Sequence, residues 1–471
     1  MTHRRSQSSW LPRAQVGFVL VACVLPACKL SDDLVVEPVS ISVGGGGASG
    51  GITAASGAAG ATGGTGVDNC DARKTAIPAV VSSGTLGRRC SAWAARRSFS
   101  NALCSCGSLT APDAFMTDGS DSSNPDLPAG GAAVGINGTY RGGTYVRIEG
   151  SFTLFSTTLV ASAGGIDIRG DLRLRGPATA AGPIFIGRDA WLLASSSTLS
   201  PASVGRDLHL GPDGALTAHD VSVFGKSSTE AFEIAPTCAC GAQQILDIQS
   251  IVDDVFAAND NQQIGLKLDS LANVASAKQL SLACGRYALR GISGTAATSL
   301  RVSGRVVLAV QGDVQLPPGF TLQLEPNAQV DWFITGNLDV GVSAIIGTAE
   351  RRAAVRIYTL GSNDITLPGT DSIAVNLYAP HAKVVVNDPG KVYGGLFAGS
   401  VESAGSLIVY YDRAILRADE TCNDVAPPSC TSCDQCGASS TCVAGKCGAC
   451  TTDADCCSPL VCEHGSCQAL D

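Results

Sequence analysis

The sequence predicts an all-β fold: a right-handed parallel β-helix with an inserted or capping helix, followed by a small disulfide-rich C-terminal module. Three observations carry this. Apolar residues alternate with polar ones in short runs, the runs recur at a nearly fixed interval, and ten cysteines crowd residues 430–471. Ile148, Gly150, Phe152 and Leu154 are followed by Ile168, Gly170, Leu172 and Leu174, then Ile186, Arg188, Ala190 and Leu192, then Val204, Arg206, Leu208 and Leu210; the intervals are 20, 18 and 18 residues. Alternation puts the apolar set on one face of a strand, and a fixed recurrence stacks strands in register. A coil that advances about 4.8 Å per turn satisfies both. A sandwich of hairpins would explain the alternation but not the interval.

The chain opens with Arg4, Arg5 and Arg13 and a ten-residue apolar or small run, Val16 to Leu25, too short to span a bilayer and typical of a signal peptide. That run ends in Leu25, Pro26, Ala27 and Cys28, which resembles the lipobox of bacterial lipoproteins. Pro26 departs from the small or hydroxyl residue usual at its place. The resemblance implies removal of residues 1–27, diacylation of Cys28, and a protein of the bacterial cell envelope held by lipid at the outer membrane or cell surface. The competing reading is an ordinary secretory signal with a chance cysteine. Residues 28–69 form a linker whose stretch Gly44 to Gly66 holds only Gly, Ala, Ser, Thr and Ile52. It cannot bury a core, and it reaches about 75 Å when stretched.

Loss of residues 1–27 removes three of 32 basic residues and no acid, leaving 29 against 41 acidic residues, a net charge of −12. A basic nucleic-acid footprint is therefore absent. The 55 glycines and 5% aromatic content disfavour a helical bundle and an aromatic-rich sugar-binding sandwich. In an exported chain the cysteines imply disulfides. Seven precede the tail: Cys70, Cys90, Cys104, Cys106, Cys238, Cys240 and Cys284. Eleven follow: Cys422, Cys430, Cys433, Cys436, Cys442, Cys447, Cys450, Cys456, Cys457, Cys462 and Cys467. Two odd sets cannot both close internally, so the simplest scheme assigns Cys422 to the first set. The alternative bonds it within the tail and leaves a thiol elsewhere.

Residues 70–129 are expected as a cysteine-bearing N-terminal cap with a short helix from Ser91 to Leu103. Residues 130–421 are the β-helix. Its periodicity stops near Gly225, and a helical insertion occupies 241–259, where Leu246, Ile248, Ile251, Val252, Val255 and Phe256 fall mostly three and four apart. Its apolar stripe is expected to pack on the flank or the end of the coil. Strand signals resume at Val302 to Leu308, Val310 to Leu316 and Ile334 to Val340, and end at Leu407 to Tyr411.

The run Asn376, Leu377, Tyr378, Ala379, Pro380, His381, Ala382, with Tyr393 to Phe397 and Tyr410 to Ala414, resembles a bactofilin-like β-helical domain of unknown function. Phe333 to Leu338 resembles its preceding Gly-Asn-Leu strand, and Cys104 to Cys106 and Cys238 to Cys240 resemble paired-cysteine elements of myxobacterial surface lipoproteins carrying that domain. The likeness covers roughly 90–420 and implies a fold but no activity. The module 422–471 resembles knottin-like or Dickkopf-like disulfide modules, since so many cysteines in so short a segment leave no room for an apolar core. Zinc is the competing reading of its CxxC pairs. Export, the adjacent Cys456 and Cys457 and the single tail histidine His464 weigh against it.

Asp171, Asp189 and Asp207 occupy the same place in successive coils, forming a column of carboxylates about 5 Å apart. Calcium or the preceding Arg188 and Arg206 would neutralise it; solvated turn residues are the plainer reading. Asp253 and Asp254 point apart on a helix, and His209, His219 and His381 lack metal-ligand spacing. No catalytic residue, metal site or cofactor is assigned. The expected function is a non-catalytic, lipid-anchored spacer or adhesion surface, with the membrane as partner through Cys28 and an extracellular polysaccharide or envelope protein as a further partner. The alternative is a carbohydrate-active β-helical enzyme, a polysaccharide lyase or hydrolase, or a polysaccharide-binding protein.

Overall fold

The computed structural model describes residues 91–417 apart from 127–129, 157–158, 162–163, 199 and 342, together with 81–82, 88–89 and the short tail stretches 441–443, 446–448, 450, 455–456, 461–463 and 466–468. The signal peptide, Cys28, the linker, and Cys70, Cys90, Cys422, Cys430, Cys433, Cys436 and Cys457 lie outside the described residues.

The protein is a parallel β-solenoid of about 13 turns. Each regular coil carries three short strands, one on each face, as in Leu172–Leu174, Ala178–Ala180 and Ile184–Ile186. The columns expected from the repeat are present. Ile148, Ile168, Ile186 and Val204 are successive register partners, as are Leu154, Leu174, Leu192 and Leu210. All but the partly buried Leu210 lie in the lumen with no more than 3% exposure. Burying such a branched aliphatic side chain contributes about 1.5–3 kcal/mol, so one column repeated along the stack is a substantial source of stability.

The order of coils in space is not their order in sequence. Along one face the parallel ladder runs Gly285–Leu289, Arg305–Val310, Gln329–Ile334, Val355–Thr359, Asn376–Val386 and Leu396–Ser403. It then passes to Leu103–Ser105, Val134–Ile136, Phe152–Leu154, Leu172–Leu174, Ala190–Thr198, Leu208–Thr217 and Ser227–Thr229. From its first coil at Leu103–Ser105 the chain therefore starts coiling at mid-stack, climbs through an upper half to residue 229, returns outside the coils, and re-enters at the far end to build a lower half that stops beneath that first coil. Strand Leu407–Asp412 closes the same seam by pairing with Ala114–Ser120.

Two expectations change accordingly. Residues 103–120, expected as part of an N-terminal cap, supply a complete coil, because Leu103, Leu109 and Phe115 are wholly buried and are flanked by coils on both sides. The order of the coils also changes: coils taken in sequence order would end the β-helix at one tip of the rod, whereas Leu407–Asp412 ends it at the waist. Helix α1, Ser91–Ser98, packs there against Arg413–Arg417, and Tyr411 Oη donates to Phe99 O at 2.5 Å.

The predicted insertion is helix α2, Ile248–Ala257. Asp247 caps it by accepting from Ser250 N at 3.1 Å. Its buried Ile248, Ile251, Val252 and Val255 face strands Gly285–Leu289, Arg305–Val310 and Gln329–Ile334, so the helix lies on the flank. In the tail, Thr441–Val443 pairs with Lys446–Gly448 and Val461–Glu463 with Ser466–Gln468, two antiparallel hairpins.

Candidate functional site

Asp171, Asp189 and Asp207 do stack, and each side chain hydrogen-bonds the corner of the next coil. Asp171 Oδ1 accepts from Asp189 N at 3.3 Å, Asp189 Oδ1 from Asp207 N at 3.0 Å, and Asp207 Oδ1 from Lys226 N at 2.8 Å. Ser151 Oγ begins the series by accepting from Asp171 N at 3.1 Å. At this corner the turning chain presents an amide that no strand partner reaches, and the side chain of the preceding coil satisfies it. Guanidinium groups balance the charge: Arg173 lies 3.0 Å and Arg188 3.8 Å from Asp171, and Arg206 lies 3.3 Å from Asp189. The lower half repeats the device, with Asp313 Oδ1 accepting from Asn337 N at 2.7 Å and Asn337 Oδ1 from Ser362 N and Asn363 N at 3.2 Å. Among the described residues no group of three or more His, Cys, Asp or Glu is placed to hold a metal ion.

A second candidate is the outer column of the ladder face, which runs through Phe333, Tyr358, Tyr378, Phe397, Cys104, Gly135, Thr153, Arg173, Trp191, His209 and Ser228. Residues 230–257 descend over it as a strap. Glu230 meets His209, Phe232 packs edge-on to Trp191 at 5.3 Å, and Leu246 N donates to Tyr378 Oη at 3.1 Å. Midway the strap is bonded to the coils by Cys104–Cys238 and Cys106–Cys240, with Cα separations of 5.5 and 5.6 Å. A side chain at Gly135 would meet this staple, since its Cβ would stand 2.9 Å from Cys238 Sγ. Cys284, Cys442, Cys450 and Cys456 are also disulfide-bonded, which removes those tail thiolates from any zinc site.

Trp191 and His209 stack with ring centroids 3.6 Å apart. His209 Nδ1 is 2.7 Å from Glu230 Oε1 and 3.3 Å from Ser228 Oγ. Serine, histidine and glutamate therefore meet, but a nucleophile and its orienting acid must use opposite ring nitrogens. Both oxygens here address Nδ1, so the cluster anchors the start of the strap. The sequence carried a signal for it, since Trp191 and His209 are 18 residues apart and share a column. His381 is exposed, and His219, Asp253 and Asp254 join no cluster.

In the lower half the same face buries charge. Arg356 forks onto Asp331, with Nε to Oδ1 at 2.5 Å and Nη2 to Oδ2 at 3.2 Å, and both residues are essentially unexposed. Burial opposes the Arg356 charge, and the adjacent carboxylate outweighs it, leaving the guanidinium above its ordinary pKa. Asn376 is also wholly buried: its amide donates to Arg352 O and Val355 O and accepts from Gly395 N at 2.7 Å. The residues that carried the family resemblance thus bind adjacent coils together beside the seam.

Comparison with curated proteins and with solved structures gave no match. Residues 241–418 match the model of a family described as a domain of unknown function, DUF7305. The match begins in the strap and ends with the last coil, so the chain carries a DUF7305 domain that comprises α2 and the lower half of the solenoid.

Proposed function

We propose that this protein is a non-catalytic component of a bacterial cell envelope, anchored by lipid at Cys28 in the outer membrane or at the cell surface, in which the solenoid is a rigid spacer or interaction body. The observation that carries the reading is the Asp171, Asp189 and Asp207 ladder. Its carboxylates accept backbone hydrogen bonds, and Asp171 and Asp189 are matched by arginines, the opposite of an acid poised to transfer a proton to substrate.

Thirteen turns at about 4.8 Å make a rod of about 60 Å. Its waist is where the described solenoid segment both begins, at Leu103–Ser105, and ends, at Leu407–Asp412. The anchor is tested by acyl labelling and detergent-phase partition of the wild type and Cys28→Ala, which should lose both. The non-catalytic role is tested by incubation with envelope and extracellular polysaccharides. Retention without cleavage fits the spacer or adhesion role; turnover that disappears on altering Asp171, Asp189 or Asp207 rejects it.

A further inference from the structure

The chain holds eight tyrosines, and the fold sorts them by access. Tyr140, Tyr287, Tyr358, Tyr378 and Tyr411 are buried, with no more than 2% exposure. Tyr145, Tyr393 and Tyr410 are half-buried. Tyr145 has no ring partner among the described residues, whereas Tyr393 and Tyr410 meet each other.

Their meeting is built into the solenoid. Lys391–Tyr393 and Leu407–Asp412 are adjacent parallel strands in which Tyr393 and Tyr410 are register partners. Val392 and Val409 fill the lumen, so alternation turns both tyrosines to the outer side of the same face. Their rings stack with centroids 4.8 Å apart and planes 14° from parallel. Arg352, on the segment Ala349–Ala354, spans the pair: its guanidinium carbon lies 5.6 Å from the Tyr393 centroid and 5.5 Å from that of Tyr410. That guanidinium is itself held, with Nε donating to Ala349 O at 2.6 Å and Nη1 to Ser120 Oγ at 3.2 Å. Two phenols are thus kept face to face at the surface, and one of them belongs to the strand that closes the seam by pairing with Ala114–Ser120.

We propose that Tyr393 and Tyr410 form a site of oxidative cross-linking, at which a peroxide-driven one-electron oxidant couples them into a dityrosine that welds the last two coils together. Each phenol gives up one electron and one proton and becomes a phenoxyl radical. The two radicals join through a carbon–carbon bond between ring positions ortho to oxygen, and each ortho hydrogen then moves to its own phenol oxygen as aromaticity returns. Two hydrogen atoms are removed in all, and one molecule of hydrogen peroxide carries them away as two of water. Held as a stacked pair, the radicals combine within one molecule faster than they meet a second. The other tyrosine pair, Tyr358 and Tyr378 with centroids 6.0 Å apart, is closed to this chemistry by burial. The coupling is independent of the lipid anchor; only its setting in an oxidising compartment rests on the reading of an exported protein.

The test is oxidation of the purified full chain in detergent by hydrogen peroxide and a haem peroxidase. Dityrosine fluorescence is read in the monomer band of a reducing, denaturing gel, the linked peptides are mapped by mass spectrometry, and thermal melting checks the folding of each variant. The wild type should give dityrosine within the monomer, joining Tyr393 to Tyr410. Tyr393→Phe and Tyr410→Phe should each abolish that link, and Tyr145→Phe should leave it unchanged. Unfolding the wild type in urea before oxidation should remove the preference for this pair. A folded wild type without dityrosine in its monomer band, a signal that survives either change at the pair, or a link formed equally well in the urea-unfolded chain overturns the proposal.

Discussion

Leu103, in the first coil of the sequence, and Leu396, in the last, are register partners in adjacent parallel strands. Both are buried, at 0% and 1% exposure, so the seam between the two halves has the same packed interior as any other step of the solenoid. Nothing in the ladder distinguishes a joint made between distant parts of the chain from one made between consecutive coils.

Truncating either residue should therefore destabilise the whole rod. Leu103→Ala and Leu396→Ala should each cost about 2–5 kcal/mol, and the double variant less than the sum, because the two share one cavity. Urea unfolding followed separately by Trp191, in the upper half, and Trp332, in the lower, should give coincident transitions. Separated transitions would show that the halves fold independently and merely touch.

The two strap disulfides close nearly the same loop, each spanning 134 residues of sequence. In the chain-entropy account one bridge of that span contributes about 4–5 kcal/mol, and a second beside it adds little further restriction to the unfolded chain. Cys238→Ser or Cys240→Ser alone should thus be tolerated far better than the pair together. Non-reducing peptide mapping should recover Cys104 with Cys238 and Cys106 with Cys240; any other pairing of these four contradicts the staple.

Arg356 and Asp331 lie together, essentially unexposed, on adjacent strands of the lower half. Removing Asp331 leaves the buried Arg356 guanidinium with only the neutral acceptors Gln329 Oε1 and Ala353 O, so Asp331→Leu should cost about 3–5 kcal/mol, and Arg356→Met less, because Arg305 still lies 3.9 Å from Asp331. The combined Arg356→Met and Asp331→Leu variant should recover most of that loss. A double variant as unstable as the sum of the two would show that each residue acts separately.

The repeat was legible in the upper half because Ile168, Ile186 and Val204 sit at a constant interval with polar neighbours between them. In the lower half both faces of the strands are buried, as Val306 to Val310 show, and alternation vanishes where a helix covers the outer side. Chain order concealed the topology: no local pattern in Leu103 or Leu396 tells either strand which neighbour it takes. The Asp171 column was visible, but its role depended on an unpartnered turn amide, a property of backbone geometry. Cys238 and Cys240 were recognisable as a pair, whereas their partners followed only from the path of the strap.

Two buried tyrosines make the fold sensitive to alkali. Burial raises Tyr378 to about 12, with Leu246 N donating to its hydroxyl, and burial raises Tyr140 further. Because the folded values lie above that of the unfolded chain, about 10, this stability is complete below pH 10 and is lost as pH rises from there through 12. Tyr378 alone should lose about 2–3 kcal/mol across that window. Tyr140 Oη has no hydrogen-bond partner among the described residues, so Tyr140→Phe should be neutral or stabilising at pH 8 and should shift alkaline unfolding upward. An unchanged alkaline midpoint would remove Tyr140 from the account.

The carboxylate ladder separates hydrogen bonding from charge. Asp189→Ala leaves the Asp207 amide without its acceptor at a half-buried corner, a loss of about 1–2 kcal/mol. Asp189→Asn keeps an acceptor oxygen and loses only the pairing with Arg206, whose side chain is 52% exposed, so it should cost less than about 1 kcal/mol. A structural ladder requires alanine to be clearly worse than asparagine, with melting unaffected by chelator or added calcium. If asparagine is as damaging as alanine and calcium raises the melting temperature of the wild type alone, the column binds an ion, and the non-catalytic reading loses the observation on which it stands.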